Sequence, residues 1–175
     1  MHGSGIVRRV DDLGRIVIPK ELRRTLRLKE GDPVEISRDG ESLFLKKYSP
    51  LTSMQFISKN VVDGVKQMTG KECLVADTDK IIQVSGDNDL SGNVLSQWVG
   101  SFISERREFF GVDGQIPILF IGEDVENLGQ RYVLPLIQEG DCLGIIALSS
   151  RKGNEISEQD KKMLKLGANI LVNSM

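Results

Sequence analysis

Positive and negative charge are divided unevenly along this chain, and the division constrains its architecture more than any other feature. Residues 1–48 carry eleven Lys or Arg against eight Asp or Glu, and the rest of the chain carries twelve against seventeen. The net charge of -2 is therefore the average of a +3 segment and a -5 segment. The change falls near Ser49 and Pro50, where a strand-like run gives way to a helix-like pattern. We predict a basic domain over residues 1–50 and an acidic domain over residues 51–175.

Composition excludes several classes of protein. With 27% charged and 39% hydrophobic residues, the chain is typical of globular proteins rather than disordered ones. No apolar run reaches the roughly 18 to 20 residues that cross a bilayer, and the basic-then-apolar pattern of a secretory signal is missing. We therefore expect a cytoplasmic protein with no membrane partner. Cys73 and Cys142 are isolated in the sequence, which predicts neither a disulfide framework nor a zinc site.

Motifs of enzymes are missing as well. The single histidine is His2, at the start of the chain, and there is no Walker, GxGxxG, HExxH or GxSxG pattern. Asp77 and Asp79 form a carboxylate pair, but they lie in an apparent turn, where solvated aspartates are common. We expect no catalytic residue, no metal ion and no cofactor.

The basic segment is predicted to hold two strand pairs around one helix. Val and Ile are frequent in residues 5–10 and 15–18, which flank a turn signal. Residues 33–37 and 42–47 flank Asp39-Gly40, which favours a tight hairpin. Between the two pairs, residues 19–27 form a helical pattern that opens with a proline, and Gly31 lies beyond it as a stop signal.

That helix separates apolar from cationic side chains. At about 100° per residue, Leu22 and Leu26 lie on one side and four cations span an arc of about 100° on the other. The cations are Lys20, Arg23, Arg24 and Arg27. By itself, such an arc is more often a solvated helix face. Further cations with no matching acidic cluster, Arg8, Arg9 and Arg15, favour a phosphate-binding surface instead.

The size of this segment indicates self-association. Fifty residues with short strands and one helix bury little apolar surface, so such a unit is marginally stable alone. Dimerisation would supply the missing core and would double the cationic surface about a two-fold axis.

Residues 5–26 resemble the signature of the AbrB family of bacterial transition-state regulators, and the resemblance continues through Gly31, residues 34–36 and residues 45–48. It implies a swapped-hairpin β-barrel built by two interleaved chains, with arginines on one face that bind double-stranded DNA. Arg8, Arg15, Arg23 and Arg24 occupy the DNA-contacting positions of the family, and Arg9 is expected to add a phosphate contact. Residues 1–4 depart from the usual Met-Lys opening of the family.

The acidic segment begins with a helix signal. Ser49 is suited to cap the helix and Pro50 to its first position. An apolar stripe follows at helical spacing and stops before Gly70: Leu51, Met54, Ile57, Val61, Val65 and Met68. The stripe is compatible with packing on the domain's own sheet and with a seam between subunits.

The rest of the pattern predicts an α+β sheet with flanking helices. Residues 72–76 and 80–84 are predicted to form a hairpin. A predicted helix follows, with Val94, Leu95, Trp98 and Phe102 on one side, and residues 116–121 are predicted to form a strand. Residues 131–138 and 142–149 read as a second hairpin. Ser157 and Asp160 form a variant capping box for a helix that ends near Asn173.

Residues 132–148 resemble the terminal hairpin of GAF domains, with Pro135 in the first strand, Gly140 in the turn and Gly144 before an apolar run. The resemblance implies an α+β GAF-like domain for oligomerisation and for sensing a small molecule of unknown identity. The signature of cyclic-nucleotide-binding members is missing. Phe109 and Phe110 are the candidate pocket-lining residues. Cys73, Cys142 and Trp98 are expected to be core residues.

Three functions remain open at this point. The first is a DNA-binding transcription regulator, an activator and repressor of sporulation genes by its resemblance to AbrB-family regulators with a GAF domain. In that reading it is associated with the nucleoid of the forespore and forms a homotetramer through the apolar stripe and the last helix, where Gly167 and Ala168 permit close approach. The second is an antitoxin-like module that neutralises a protein. The third is a ligand-binding protein with an incidental basic face.

Overall fold

A computed structural model describes residues 5–87 and 89–175 of the chain. It divides into two compact units, Met1–Tyr48 and Ser49–Met175, here called the N-terminal unit and the C-terminal unit. The unusual opening at residues 1–4, including His2, lies outside the described residues. No helix among the described residues is long and apolar enough to cross a membrane.

The N-terminal unit contains one hairpin and one short helix. Strands β1 (Val34–Asp39) and β2 (Ser42–Lys47) pair antiparallel, with Asp39 opposite Ser42, as the Asp-Gly signal predicted. The predicted strands at residues 5–10 and 15–18 do not form in the single chain. Beyond a turn closed by the amide of Asp11 and the carbonyl of Arg15, no segment within residues 5–87 and 89–175 pairs with their backbones.

Helix α1 (Lys20–Thr25) is three residues shorter than the predicted helix over residues 19–27. Arg27 leaves the helix with a φ of 54°, in the left-handed region. Its amide donates to the carbonyl of Arg24 at 3.2 Å, and the amide of Leu28 donates to the carbonyl of Arg23 at 2.8 Å. This pair of hydrogen bonds is a Schellman motif, so the helix terminates at Arg27 and the predicted stop at Gly31 is not reached.

A core is missing from the N-terminal unit of the single chain. Among residues 5–48 only Pro19 is buried. Thirteen large apolar side chains of the same range are exposed, among them Val7 at 89% and Val17 at 75%. A segment of this size cannot fold stably with its apolar side chains in water, because their burial is the dominant favourable term in folding.

The C-terminal unit is a five-stranded antiparallel sheet flanked by helices. The strand order is β4-β3-β7-β6-β5, which places β4 and β5 at the two edges. The strands are β3 (Glu72–Ala76), β4 (Ile81–Val84), β5 (Phe109–Val112), β6 (Leu128–Gln138) and β7 (Asp141–Arg151). The helices are α2 (Pro50–Ser53), α3 (Gln55–Thr69), α4 (Gln97–Glu105) and α5 (Glu158–Asn173).

Alternating side chains of the central strands fill two separate cores. Ile146 and Leu148 of β7 pack with α3 and α5, whereas Ile145 and Ala147 pack with α4 and the segment around Phe120. Because successive side chains of a strand point to opposite faces, both faces of the sheet are covered.

Several predicted elements of this unit are confirmed. Ser49 caps α2, with Pro50 at its first position. The hairpin around Asp77 forms, and the Asp77 carboxylate accepts the amides of Asp79 and Lys80 within the turn. The β6–β7 hairpin also forms, and Ser157 and Asp160 make a complete capping box on α5.

Other boundaries differ from the prediction. Helix α4 begins at Gln97, because Val94 and Leu95 make isolated bridges to Lys80 and Phe120 instead of helical hydrogen bonds. Residues 116–121 are therefore not a strand of the sheet. Strand β5 was not predicted, and it is fixed by pairing with β6.

The apolar stripe predicted for one continuous helix is interrupted at Met54, whose ψ of 30° separates α2 from α3. Met68 is exposed, and Ser58 and Val62 occupy buried positions instead. The prediction that Gly167 permits contact between subunits is wrong. A β-carbon at Gly167 would lie 3.0 Å from Val61 of the same chain, so its lack of a side chain serves the packing of α5 on α3.

The two cysteines are free and do not form a disulfide. Cys73 is buried in the core on the α3 side, as predicted, and burial raises the pKa of its thiol. Cys142 is only half-buried, and its thiol donates to the carbonyl of Gly144.

Candidate nucleic-acid interface

Asp11 organises the turn that carries the first cations of the chain. Its carboxylate accepts the amides of Leu13 and Arg15 at 3.0 and 2.7 Å, and it pairs with the Arg15 guanidinium at 2.8 Å. These hydrogen bonds, with the Arg15 amide foremost, lower the pKa of Asp11. Arg15 therefore has an acidic partner, which corrects the expectation of an unmatched cation. Its side chain is nevertheless 69% exposed, so the pair holds the guanidinium in place without burying it.

Helix α1 presents its cations to solvent. Pro19 orients its first turn, and the amide of Arg23 donates to the Pro19 carbonyl at 2.9 Å. Lys20, Arg23 and Arg24 follow on the helix and all three are exposed. Glu21, on the same helix, is in the first turn, where a carboxylate favours the helix dipole.

Arg27 stands apart from the other three cations predicted for the helix. It lies just beyond α1 and is exposed. A left-handed conformation is rare for residues other than glycine, asparagine and aspartate and costs free energy. Residues other than glycine that are held in this conformation are concentrated at functional sites.

Ion pairs divide the cations of the N-terminal unit into two groups. On the hairpin, Lys46 pairs with Glu35 and Lys47 pairs with Asp32, both at 3.1 Å. Across residues 5–87 and 89–175, no carboxylate lies within ion-pair distance of six of the seven predicted DNA-binding residues. These six are Arg8, Arg9, Lys20, Arg23, Arg24 and Arg27. The two lysines of β2 are therefore paired with carboxylates, whereas these six cations of residues 8–27 have no such partner in the described part of the chain.

The two pocket candidates of the C-terminal unit lie on opposite faces of β5. Phe109 packs edge-on against Trp98, which stacks on Phe102 at 5.0 Å. Phe110 faces the other way, toward Tyr132 and α5, and is 39% exposed. Phe109 therefore packs against a core and is half-buried, whereas Phe110 is exposed.

Sequence reasoning missed the surroundings of Phe110. Lys161 and Lys165 of α5 extend over Phe110 and Tyr132, and Glu108 accepts hydrogen bonds from Tyr132 and Lys165. Burial, followed by the hydrogen bond to Glu108, raises the pKa of Tyr132 to about 12. Lysines four residues apart on a helix lie on one face, and this spacing was the available signal.

Metal binding has no support in the part of the chain that the structure describes. No group of three or more His, Cys, Asp or Glu side chains there is arranged to hold a metal ion.

Two family models match the two halves of the chain. Residues 53–175 match "Stage V sporulation protein T C-terminal, transcription factor". Residues 7–53 match "Antidote-toxin recognition MazE, bacterial antitoxin". Together the two matches extend over both units.

Similar proteins include two regulators of Bacillus subtilis (strain 168). Stage V sporulation protein T is 37% identical over 179 aligned residues, which cover 100% of this chain and 99% of that protein. Transition state regulatory protein AbrB is 49% identical over 71 residues, covering 41% of this chain and 74% of AbrB.

A solved structure similar to the chain is the GAF domain of the Acinetobacter phosphoenolpyruvate-protein phosphotransferase. Its TM-score is 0.56 at 13% identity, and the match covers 73% of this chain and 82% of that one. The likeness concerns the fold alone. The predicted fold class, an AbrB-like domain followed by an α+β GAF-like domain, is confirmed by these similarities.

Proposed function

The chain belongs to the stage V sporulation protein T family of transcription factors, and from that premise we propose that it regulates sporulation genes, as activator and repressor, by binding double-stranded DNA. The N-terminal unit binds the DNA through Arg8, Arg9, Arg15, Lys20, Arg23, Arg24 and Arg27. The C-terminal unit joins dimers into a tetramer and senses a small molecule. The protein acts on the nucleoid of the developing spore.

The observation that carries the proposal is the set of cations without acidic partners along the first segment and α1. Six exposed cations on one small unit attract a polyanion, and release of the counterions of DNA makes such binding strong and salt-dependent. Arginine also has the planar donor pattern that fits guanine in the major groove. The similarity to AbrB, a transition state regulatory protein, supports the same role.

The uncovered apolar side chains support a dimer. Val7, Val10, Ile16 and Val17 lie on the two extended segments that lack strand partners within the chain. A second N-terminal unit would supply both the backbone partners and the apolar contacts, and interleaving of the two chains buries both sets at once. The cations of α1 would then occur twice on one surface.

Exposed apolar side chains on the two long helices support the tetramer. Phe56 and Met68 of α3 are 79% and 68% exposed, and Leu166 and Ile170 of α5 are 52% and 44% exposed. Helices α3 and α5 pack against each other, so these side chains form the outer surface of a helix pair. Burial of such a surface in a second C-terminal unit would remove it from water.

The test is binding to labelled promoter duplexes, measured by fluorescence anisotropy with the full chain. We expect submicromolar affinity, and a loss of at least about tenfold in Arg23→Ala/Arg24→Ala, because one arginine that reads a base contributes about 1–3 kcal/mol. The matched control is Arg107→Ala/Lys152→Ala, which removes the same charge from the C-terminal unit. Equal affinity of both double variants and the wild type would refute the assignment of the site.

A second candidate function is neutralisation of a toxin. The match of residues 7–53 to an antitoxin family model favours it. It predicts that a toxin protein co-purifies at a fixed stoichiometry while the chain alone binds DNA weakly. Purification from the native host under mild salt, followed by mass spectrometry, separates the two functions.

A further inference from the structure

A cleft of about 330 Å³ lies beside the first half of helix α5, on the face of the sheet that Phe110 shares with Tyr132. Its floor is formed by these two aromatic side chains, which belong to neighbouring strands and pair across β5 and β6. Three lysines of α5 form one wall: Lys161, Lys162 and Lys165. Glu108 and Glu158 complete the lining, so the cleft combines an aromatic floor with charged walls.

The cleft exists because α5 covers the centre of the sheet but not its edge. Leu164 and Leu171 of α5 are fully buried against the central strands. Strand β5 lies beyond them at the edge, so the ring of Phe110 keeps 39% of its surface exposed. On the opposite face of the sheet at this edge, Phe109 packs edge-on against Trp98.

Lys161 is held over the aromatic floor. Its ammonium nitrogen lies 4.3 Å from the centre of the Phe110 ring and 5.8 Å from that of Tyr132. Lys165 follows one turn later, with its nitrogen 6.0 Å from the centre of the Tyr132 ring. Two ammonium groups on one helix face repel each other, so the pair favours a compensating anion.

The carboxylates that now compensate these lysines are exposed. Glu158 pairs with Lys161 at 2.7 Å but is 80% exposed, and Glu108 pairs with Lys165 at 2.8 Å and is 54% exposed. The hydrogen bond from Lys165, followed by that from Tyr132, lowers the pKa of Glu108, so Glu108 is ionised at neutral pH. Exposed ion pairs contribute little free energy and exchange readily.

Two ion pairs of the unit, Lys71–Asp160 and Arg131–Glu123, are buried instead. The side chains of Arg131 and Glu123 are 2% and 8% exposed, and Arg131 also donates to Ser149 and to the carbonyl of Pro117. Removal of either partner from such a pair leaves a buried charge, so these groups are not available to a ligand. The carboxylate partners of the cleft lysines are exposed, so an anionic ligand can replace them without leaving a buried charge.

We propose that this cleft binds a small organic anion with a flat apolar body, the anionic group on Lys161 and Lys165 and the body on Phe110. A carboxylate or phosphate accepts hydrogen bonds from both ammonium groups, and its flat body contacts the part of Phe110 that Lys161 leaves exposed. The inference rests on the proposed function, in which the C-terminal unit senses a small molecule, and it gives that molecule a chemical class and a place.

The probe is phenyl phosphate, which is titrated into the full chain while binding is followed by NMR. Inorganic phosphate and phenol, the two parts of the probe, are titrated in the same way for comparison. We expect phenyl phosphate to bind at least tenfold more tightly than either part. Lys161→Gln/Lys165→Gln should weaken it at least tenfold. Phe110→Ala should reduce its affinity to that of inorganic phosphate. Lys152→Gln, an exposed lysine elsewhere on the unit, is the matched control and should leave the affinity unchanged.

Equal affinity for phenyl phosphate and inorganic phosphate would overturn the proposal. So would binding that neither Lys161→Gln/Lys165→Gln nor Phe110→Ala weakens. Promoter binding is measured on the same samples by anisotropy. If the wild type binds phenyl phosphate but no promoter DNA, the result counts against the proposed function alone. If it binds promoter DNA but no phenyl phosphate, the result counts against the cleft alone.

Discussion

Arg27 and Arg106 both hold a left-handed backbone conformation, with φ values of 54° and 52°, and both terminate a helix. Glycine occupies such positions at the lowest cost in conformational energy. The two arginines can therefore be compared within one chain. Arg27 belongs to the proposed DNA-binding surface, and Arg106 has the same backbone conformation in the C-terminal unit.

Arg27→Gly is expected to raise the free energy of unfolding by up to about 1 kcal/mol, because it removes the cost of the left-handed conformation. The same variant should weaken promoter binding, since it removes a cation from the surface. Thermal unfolding and anisotropy measure the two effects. Arg106→Gly should give a similar stabilisation with unchanged DNA affinity. Weaker DNA binding in both variants would show that the effect is not local to Arg27.

Asp160 combines two roles in a buried position. Its carboxylate accepts the amide of Ser157 at 2.8 Å in the capping box and pairs with Lys71 at 2.9 Å. The two side chains of that pair are 11% and 6% exposed. Burial alone would raise the pKa of Asp160, but the hydrogen bonds from Lys71 and Ser157 outweigh it and the pKa lies below its ordinary value.

A carboxylate with a lowered pKa stabilises the folded chain above the pKa of the unfolded state, about 3.9, and loses that contribution as the pH falls through the folded pKa. Asp160→Asn should therefore cost about 3–5 kcal/mol at pH 7, where it leaves Lys71 buried without its carboxylate. The difference from the wild type should shrink below pH about 4. Urea unfolding over this pH range measures it, and a constant difference would contradict the role of the pair. Glu158→Gln, in the same helical turn but exposed, should change stability little.

At the scale of elements, the contact between α3 and α5 is set by a missing side chain. Gly167 faces Val61 and Val65, and a β-carbon there would lie 3.0 and 3.2 Å from their methyl groups. The two helices can approach closely at this point only because α5 has no side chain there.

Gly167→Val should destabilise the C-terminal unit by about 1–3 kcal/mol, the usual cost of overpacking a core. Gly64→Ala is the matched control on α3, because a β-carbon at Gly64 has no neighbour within 4 Å. It should stabilise the chain by up to about 1 kcal/mol through helix propensity. Circular dichroism during thermal unfolding compares the two. Destabilisation by Gly64→Ala, or none by Gly167→Val, would contradict this packing.

Elements whose signals are local could be predicted from the sequence. The caps at Ser49 and Ser157 and the turn at Asp77 depend on hydrogen bonds within a few residues, so their residue types were sufficient. Strand β5 forms through its pairing with β6, and no local sequence pattern predicts that pairing. The end of α1 at Arg27 was missed because an arginine occupies a position where glycine is the expected signal.

The candidate sites divide in the same way. The DNA-binding role of the cations of residues 8–27 stays a prediction from a helical wheel and a long family resemblance, and the structure shows that their side chains are exposed. The cleft beside α5 could not be predicted, because Phe110, Glu108 and Lys165 come together only when β5 joins the sheet. The strands predicted at residues 5–10 and 15–18 do not form in the single chain, and we expect them to form only when a second chain supplies backbone partners.

At the scale of the whole molecule, we expect a tetramer of about 78 kDa, four chains of 19.4 kDa each. Leu166→Glu/Ile170→Glu places charges on the outer surface of the helix pair and should leave dimers of about 39 kDa, twice 19.4 kDa, that still bind DNA. Ile121→Glu, also at an exposed apolar position, should leave the tetramer intact. Light scattering measures the mass. A wild-type mass of about 39 kDa would rule out the tetramer.

The salt dependence of promoter binding tests the central claim, that the cations of the N-terminal unit bind DNA phosphates and bases as a paired surface. The logarithm of the binding constant is measured against the logarithm of salt concentration for the wild type and for Arg23→Ala/Arg24→Ala. We predict a steep negative slope for the wild type. In the variant it should be shallower by about 2 or more, because each lost phosphate contact contributes about 0.9 and a dimer loses each contact twice. Identical slopes and affinities for the two proteins would contradict the claim.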